Sequence, residues 1–111
     1  MAYQNALEAL ADPTRRGIFE RLRDGPSPVG RLAEGLPVSR PAVSQHLRVL
    51  EQAGLVRAHR AGTRRIYNVE IQGLVELRRY LDGLWDDVLR NFVTAAAPAT
   101  PAPAEPKETD T

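Results

Sequence analysis

Between Ser39 and Gly54 the apolar residues Val43, Leu47 and Leu50 recur at i, i+4 and i+7, the spacing of one helix face. Both ends of this stretch are marked. Ser39 can accept from the first free backbone N–H groups, Pro41 falls in the first turn, and Gly54 suits a left-handed stop. Pro41, Gln45, Arg48 and Gln52 fall opposite the apolar stripe, with Ser44 on the flank. Upstream, Tyr3 to Leu10 reads as a short helix with Ala6, Leu7 and Leu10 on one side. Asp12-Pro13 then gives an N-cap and a first-turn proline for a helix Pro13 to Arg23, which buries Ile18, Phe19 and Leu22 and stops before Gly25-Pro26. Ser27-Pro28 repeats the signal for a helix Pro28 to Gly35 with Val29, Leu32, Ala33 and Leu36 inward, and Pro37-Val38 forms the turn before Ser39.

Beyond Gly54 the pattern changes. Leu55 to Arg60 and Arg64 to Val69 carry β-branched and aromatic residues, and Ala61-Gly62-Thr63 joins them as a hairpin turn. From about Gly73 to Ala95 a long helix returns. Leu74, Leu77, Leu81, Leu84, Val88 and Phe92 step by three and four, a narrow coiled-coil type of seam that Trp85 and Leu89 widen. This stripe exceeds what one small core needs. It predicts a subunit interface of Leu74, Leu77, Leu81, Leu84, Trp85, Val88 and Phe92, shared with Tyr3 and Leu7 of the first helix. Residues 96–111 are proline-rich and aperiodic, which predicts a disordered tail after a domain spanning 1–95. The expected fold is mainly α (α+β), about five helices with a two-stranded β-hairpin, assembled as a dimer.

Length and composition narrow the classes. The 111 residues suit one domain and include no cysteine, so there is neither a disulfide framework nor a thiolate metal site. Met1 to Leu10 lacks a signal-peptide pattern, and no apolar run approaches a membrane span, so a cytoplasmic location is expected. The net charge of +1 says little, but its distribution says more. Between Arg40 and Arg65 lie six arginines (40, 48, 57, 60, 64 and 65) and one acid, Glu51. A basic segment in a balanced chain points to a polyanionic partner.

Two helices joined by a tight turn, the second with a polar outer face, make a helix-turn-helix, and a basic hairpin after it makes a wing. Arginine and glutamine side chains read guanine and adenine edges in the major groove. The expected partner is therefore double-stranded DNA, contacted by Ser39, Arg40, Pro41, Ser44, Gln45, His46 and Arg48 on the helix and by Arg60, Arg64 and Arg65 on the wing. His46 turns by helical angle towards the inner flank, which suits packing or a phosphate contact better than base reading. Arg15 and Arg16 fit bridges to nearby acids, as Arg16 to Glu20. An enzyme would need His46 or His59 as its base, and neither has a nucleophile or glycine-rich phosphate loop beside it. A winged helix used instead for protein–protein contact is the alternative. It calls for an apolar or acidic outer face, whereas this one is polar and basic.

These pieces together resemble the ArsR/SmtB family of bacterial winged-helix repressors. The resemblance is carried by Ala9-Leu10-Ala11-Asp12-Pro13-Thr14-Arg15-Arg16, Val29-Gly30-Arg31-Leu32-Ala33, Ser39 to Leu50, Gly54-Leu55-Val56 and Gly62-Thr63-Arg64-Arg65-Ile66-Tyr67, in order, over about residues 5–93. It implies a homodimer built on the first and last helices, a palindromic operator, release by a signal, and base reading by Arg40, Ser44, Gln45 and Arg48. Metal sensors of this family place cysteines before the recognition helix, or carboxylate and histidine ligands on the last helix. Here Val29 to Leu36 has no thiol, and the last helix has Glu76, Asp82, Asp86 and Asp87 but no histidine. Asp82 with Arg78 and Asp86 with Arg90 stand at ion-pair spacing. The chain thus resembles the branch without metal sites. No metal or cofactor is expected, and no residue identifies the inducer.

Overall fold

The computed structural model describes residues 2–96. In chain order the elements are α1 (Ala2–Ala11), α2 (Pro13–Arg21), β1 (Ser27–Pro28), α3 (Val29–Leu32), α4 (Arg40–Gln52), β2 (Val56–Ala61), β3 (Arg64–Val69) and α5 (Ile71–Ala96), with a 3-10 turn at Leu22–Asp24 closing α2. The expected tail, residue 96 apart, lies outside the described residues. The chain divides into two compact units, residues 1–79 and 80–111. The first holds every element up to the opening turns of α5; the described part of the second is the remainder of that helix.

The first unit is built around the inner face of α4. Val43, Leu47 and Leu50 are fully buried, as the i, i+4, i+7 spacing predicts, and they pack with Ala6, Ala9, Ile18, Leu22, Leu32, Leu55, Val56, Tyr67 and Leu77. Ala6 and Ala9 of α1 point inward, whereas Leu7 is exposed. Leu77 is a correction to the expected dimer seam. It lies in the core of its own chain and is almost inaccessible. A heptad-like seam records that a helix face is covered, not which chain covers each turn.

Helix ends follow the sequence signals with one exception. Asp12 caps α2 by accepting from the Arg15 backbone N–H at 2.8 Å, and the Ser39 hydroxyl caps α4 by accepting from the Ala42 N–H at 3.2 Å. At the far end of α4, Gly54 takes φ +79°, its N–H donates to the Glu51 carbonyl, and the Leu55 N–H donates to the Leu50 carbonyl. That pair of bonds is a Schellman stop, which favours glycine at the left-handed position. Ser27 is the exception. It does not cap a helix: Ser27 and Pro28 pair antiparallel with Tyr67 and Ile66, so the sheet has three strands in the order β1-β3-β2. The ladder claims the backbone that a cap would have used. The helix expected over Pro28 to Gly35 contracts to Val29–Leu32.

The hairpin closes more tightly than the sequence suggests. Ala61 pairs with Arg64, leaving only Gly62-Thr63 in the turn. Side chains alternate across a strand. Val56, Ala58 and Arg60 therefore share a face with their partners Val69, Tyr67 and Arg65, while Arg64 lies on the other face. The start of α5 is tied to the end of α4. The Glu70 N–H donates to the Leu55 carbonyl at 2.8 Å, and a Cβ on Gly73 would run into the Gly54 carbonyl oxygen.

The second unit's helix is apolar on one side and unsheltered. Leu81, Leu84, Trp85, Val88, Leu89, Phe92 and Val93 are all exposed, Trp85 at 63% and Phe92 at 69%. Arg90 pairs with Asp87 at 2.9 Å, rather than with Asp86 as the spacing suggested. In the first unit, Arg16 donates to the Leu10 carbonyl at 2.8 Å, in place of the expected bridge to Glu20.

Two predictions follow from this packing. Gly73→Ala should destabilise the fold by about 1–3 kcal/mol, because its methyl group meets backbone rather than a yielding side chain. Gly83→Ala, with open space around it, should stabilise by about 1 kcal/mol through helix propensity. Thermal unfolding of the two variants should shift in opposite directions. The second concerns Asp12, whose carboxyl is held below its ordinary value chiefly by the Arg15 N–H, which outweighs the opposing effect of desolvation, with the charges of Arg15 and His46 adding to it. A depressed carboxylate stabilises above its unfolded-state pKa, and that stabilisation is lost as pH falls through the folded-state value. Urea titrations should give Asp12→Ala a lower midpoint than the parent at neutral pH, with the difference closing in acid. Asp12→Asn should flatten the acid limb.

Candidate nucleic-acid interface

The outer side of α4 presents Pro41, Ser44, Gln45, Arg48 and Gln52, all exposed, directly behind a stripe with no accessible surface. Full burial of one side fixes the rotation of the helix, so the other side is set by the same packing. Ser39 and Arg40 are exposed at its N-terminal end. This surface offers hydroxyl, amide and guanidinium groups and carries a single acid, Glu51, in its last turn.

His46 does not share that face. It is half-buried towards α2, with its Nδ1 3.4 Å from a terminal nitrogen of Arg15, whose Nε donates to the Ala9 carbonyl at 2.7 Å. Arg15 thus ties α1, α2 and α4 together, a role the sequence did not suggest. Only the tertiary placement brings residue 15 to residue 46.

The wing arginines divide between environments. Arg60, Arg64 and Arg65 are all exposed. Arg65 is nonetheless engaged. One terminal nitrogen lies 3.4 Å from a carboxylate oxygen of Glu51, and its guanidinium carbon is 5.8 Å from the centre of the Tyr67 ring. Two open clefts flank this wing. One, of about 680 Å³, lies between α4 and β3 and is lined by Ser44, Arg48, Glu51, Gln52, Arg65 and Tyr67. The other, of about 460 Å³, brings Arg31, Arg40, Arg64 and Arg65 together around Gly30, with Glu34 as its one acid. The Arg40 guanidinium lies so close over Gly30 that a Cβ there would sit 2.9 Å from its terminal nitrogen. Arg31 is the basic residue the sequence reading missed. Its signal was only the neighbouring Gly30, which leaves room for Arg40 between α3 and α4.

Among the described residues, no group of three or more histidine, cysteine, aspartate or glutamate side chains could hold a metal ion. None of their helices is long and apolar enough to cross a membrane.

Comparison with known proteins places this geometry. The helix-turn-helix domain family matches residues 10–59, which hold α2, α3, α4 and the first part of β2. The HTH-type transcriptional regulator Rv2034 of Mycobacterium tuberculosis is 56% identical over 87 residues, covering 78% of this chain and 81% of the relative. An ArsR-like transcriptional regulator from Rhodococcus sp. RHA1 superposes with a TM-score of 0.78 at 28% identity, over 91% of this chain and 95% of that one. The homodimeric winged helix-turn-helix DNA-binding domain of Mb0332 from Mycobacterium bovis, a possible ArsR-family regulator, has a TM-score of 0.62 at 27% identity, over 81% and 83% of the two chains. The order of elements, the exposed polar face of α4, the basic hairpin behind it and these likenesses agree: the chain belongs to the ArsR/SmtB family of winged helix-turn-helix transcriptional regulators.

Proposed function

We propose that this protein is a cytoplasmic, homodimeric repressor that binds an inverted-repeat operator in double-stranded DNA and performs no catalysis. The observation that carries the reading is the outer face of α4, where Ser44, Gln45 and Arg48 stand exposed on a helix whose rotation is fixed by Val43, Leu47 and Leu50. With α4 in the major groove, Arg40, Ser44, Gln45 and Arg48 reach base edges, and Ser39 and Pro41 approach the backbone. Arg60 and Arg64 on the wing neutralise phosphates. These contacts divide into the two classes such a protein needs, base edges for sequence and phosphates for position. His46, turned to Arg15, supports the orientation of α4 from inside.

The dimer is the second half of the proposal. Seven large apolar side chains of α5 from Leu81 to Val93 are exposed in a single chain, more than an isolated soluble helix keeps in water. A second copy covers them, as the homodimeric mycobacterial neighbour suggests. In the first unit, Leu7 and Leu74 are also exposed, and Tyr3 is half-buried. A two-fold pair holds two recognition helices in fixed relation, so each dimer reads half-sites about 34–36 Å apart. Occupying such a site within a promoter excludes polymerase. That is the basis for repression.

Footprinting on the region upstream of the protein's own gene tests the reading, with protection of an inverted repeat as the expected result. Arg48→Ala should weaken operator binding by about 1–3 kcal/mol, the worth of a bidentate base contact. Arg90→Ala, paired with Asp87 on the far side of α5 from the seam, should leave it unchanged. Equal losses in the two titrations would place α4 the wrong way round. Leu81→Asp should give a monomer in sedimentation and lose the inverted repeat as a consequence. A monomer still binding the full repeat at parental affinity would remove the dimer from the mechanism.

A further inference from the structure

We propose that Glu51 is an internal substitute for a DNA phosphate: it holds Arg65 against the recognition helix and so limits sequence-independent binding to duplex DNA. Glu51 is the single acid in the stretch from Arg40 to Arg65, and it stands one turn beyond Arg48 on α4. Its carboxylate meets the Arg65 guanidinium at 3.4 Å across the cleft between α4 and β3. Three observations make this pair more than a chance surface contact. Arg65 pairs across the strands with Arg60, so two like charges share one face of the hairpin and need a counter-charge. Arg65 and Tyr67 share that face, and the guanidinium lies over the ring. The cleft that holds the pair is also lined by Ser44 and Arg48 of the proposed reading face.

Exposed ion pairs contribute little to folding. With side-chain exposures of 53% and 33%, this one does not hold the wing in place by itself. Its consequence lies in what Arg65 is free to do. A phosphate entering the cleft competes with Glu51 for the same guanidinium and feels the carboxylate's negative charge. Arg65 therefore adds no phosphate contact of its own, and the grip of the wing falls to Arg60 and Arg64. Lowering that sequence-independent grip matters for a regulator, because non-operator DNA competes in great excess.

The test takes duplex DNA as the partner and reads the salt dependence of binding to a random-sequence duplex. In the parent, Arg65→Ala should leave the slope of log K against log salt unchanged. Glu51→Gln should raise affinity several-fold and steepen the slope by about 0.9 for each Arg65 released, so by about 1.8 in a dimer. In the Glu51→Gln/Arg65→Ala double variant, the slope should return to the parental value. An Arg65→Ala protein with a flattened slope would overturn the proposal, since Arg65 would already be on phosphate. So would a Glu51→Gln effect that persisted in full without Arg65, since Glu51 would then act only as a repelling charge. Elution from heparin–agarose applies the same competition with a polyanion that is not DNA. Glu51→Gln should elute at higher salt than the parent, and the double variant with it or below it. Equal elution of Glu51→Gln and the parent would overturn the inference even if no operator were found, whereas a failed footprint with the expected heparin shift would count against the operator reading alone.

Discussion

The junction at Gly54 is the constraint on which the first unit depends. The left-handed turn there ends α4, and the Leu55 N–H closes back on the Leu50 carbonyl. The Leu55 side chain is fully buried beside Leu47 and Leu50, so the chain leaves the helix anchored and enters β2 at once. The Leu55 carbonyl then receives the Glu70 N–H, and the Gly54 carbonyl lies against Gly73 at the start of α5. Recognition helix, wing and the opening of α5 thus meet within a few residues. A side chain at Gly73 would separate them, and a β-branched residue at Gly54 would strain the turn that brings them together.

Rigidity at that junction has a functional consequence. A reading helix discriminates bases only if its rotation is fixed to a small angle. Here the rotation is fixed from inside by three residues without solvent access and from the N-terminal side by the Ser39 cap. Arg15 adds a polar strut between α1 and the half-buried side of α4 at His46. The outer face then needs no structural role of its own, and its hydroxyl, amide and guanidinium groups remain available for a partner. Electrostatics supports the same division. Arg40 and Arg48 are exposed, while Arg65 is shared with Glu51 and Tyr67.

Local signals with a short physical range were legible in the sequence. The period of Val43, Leu47 and Leu50 gave the inner face of α4, because burial of a helix stripe depends only on spacing. Asp12-Pro13, Ser39 with Pro41, and Gly54 marked helix ends correctly, because capping needs groups only three to five residues apart. The basic hairpin after the recognition helix was legible from its β-branched, aromatic and arginine content, and with it came the family.

What the sequence could not decide were choices between two local solutions that a distant partner settles. Ser27-Pro28 carries a good capping signal, yet β3 lies close enough to take its backbone into a ladder. Leu77 and Leu81 have the same spacing in one seam, but Leu77 is buried in the core of the first unit and Leu81 is exposed. Arg65 looks like its neighbour Arg64 in sequence. Strand alternation puts them on opposite faces, and only Arg65 meets Glu51, fourteen residues earlier in the chain. Sequence therefore determined which segments are helices, which face of α4 is buried and where the positive charge gathers. Tertiary structure alone decided which arginines are free, because a charge is satisfied by whatever the fold brings within a few ångströms, and periodicity carries no record of that.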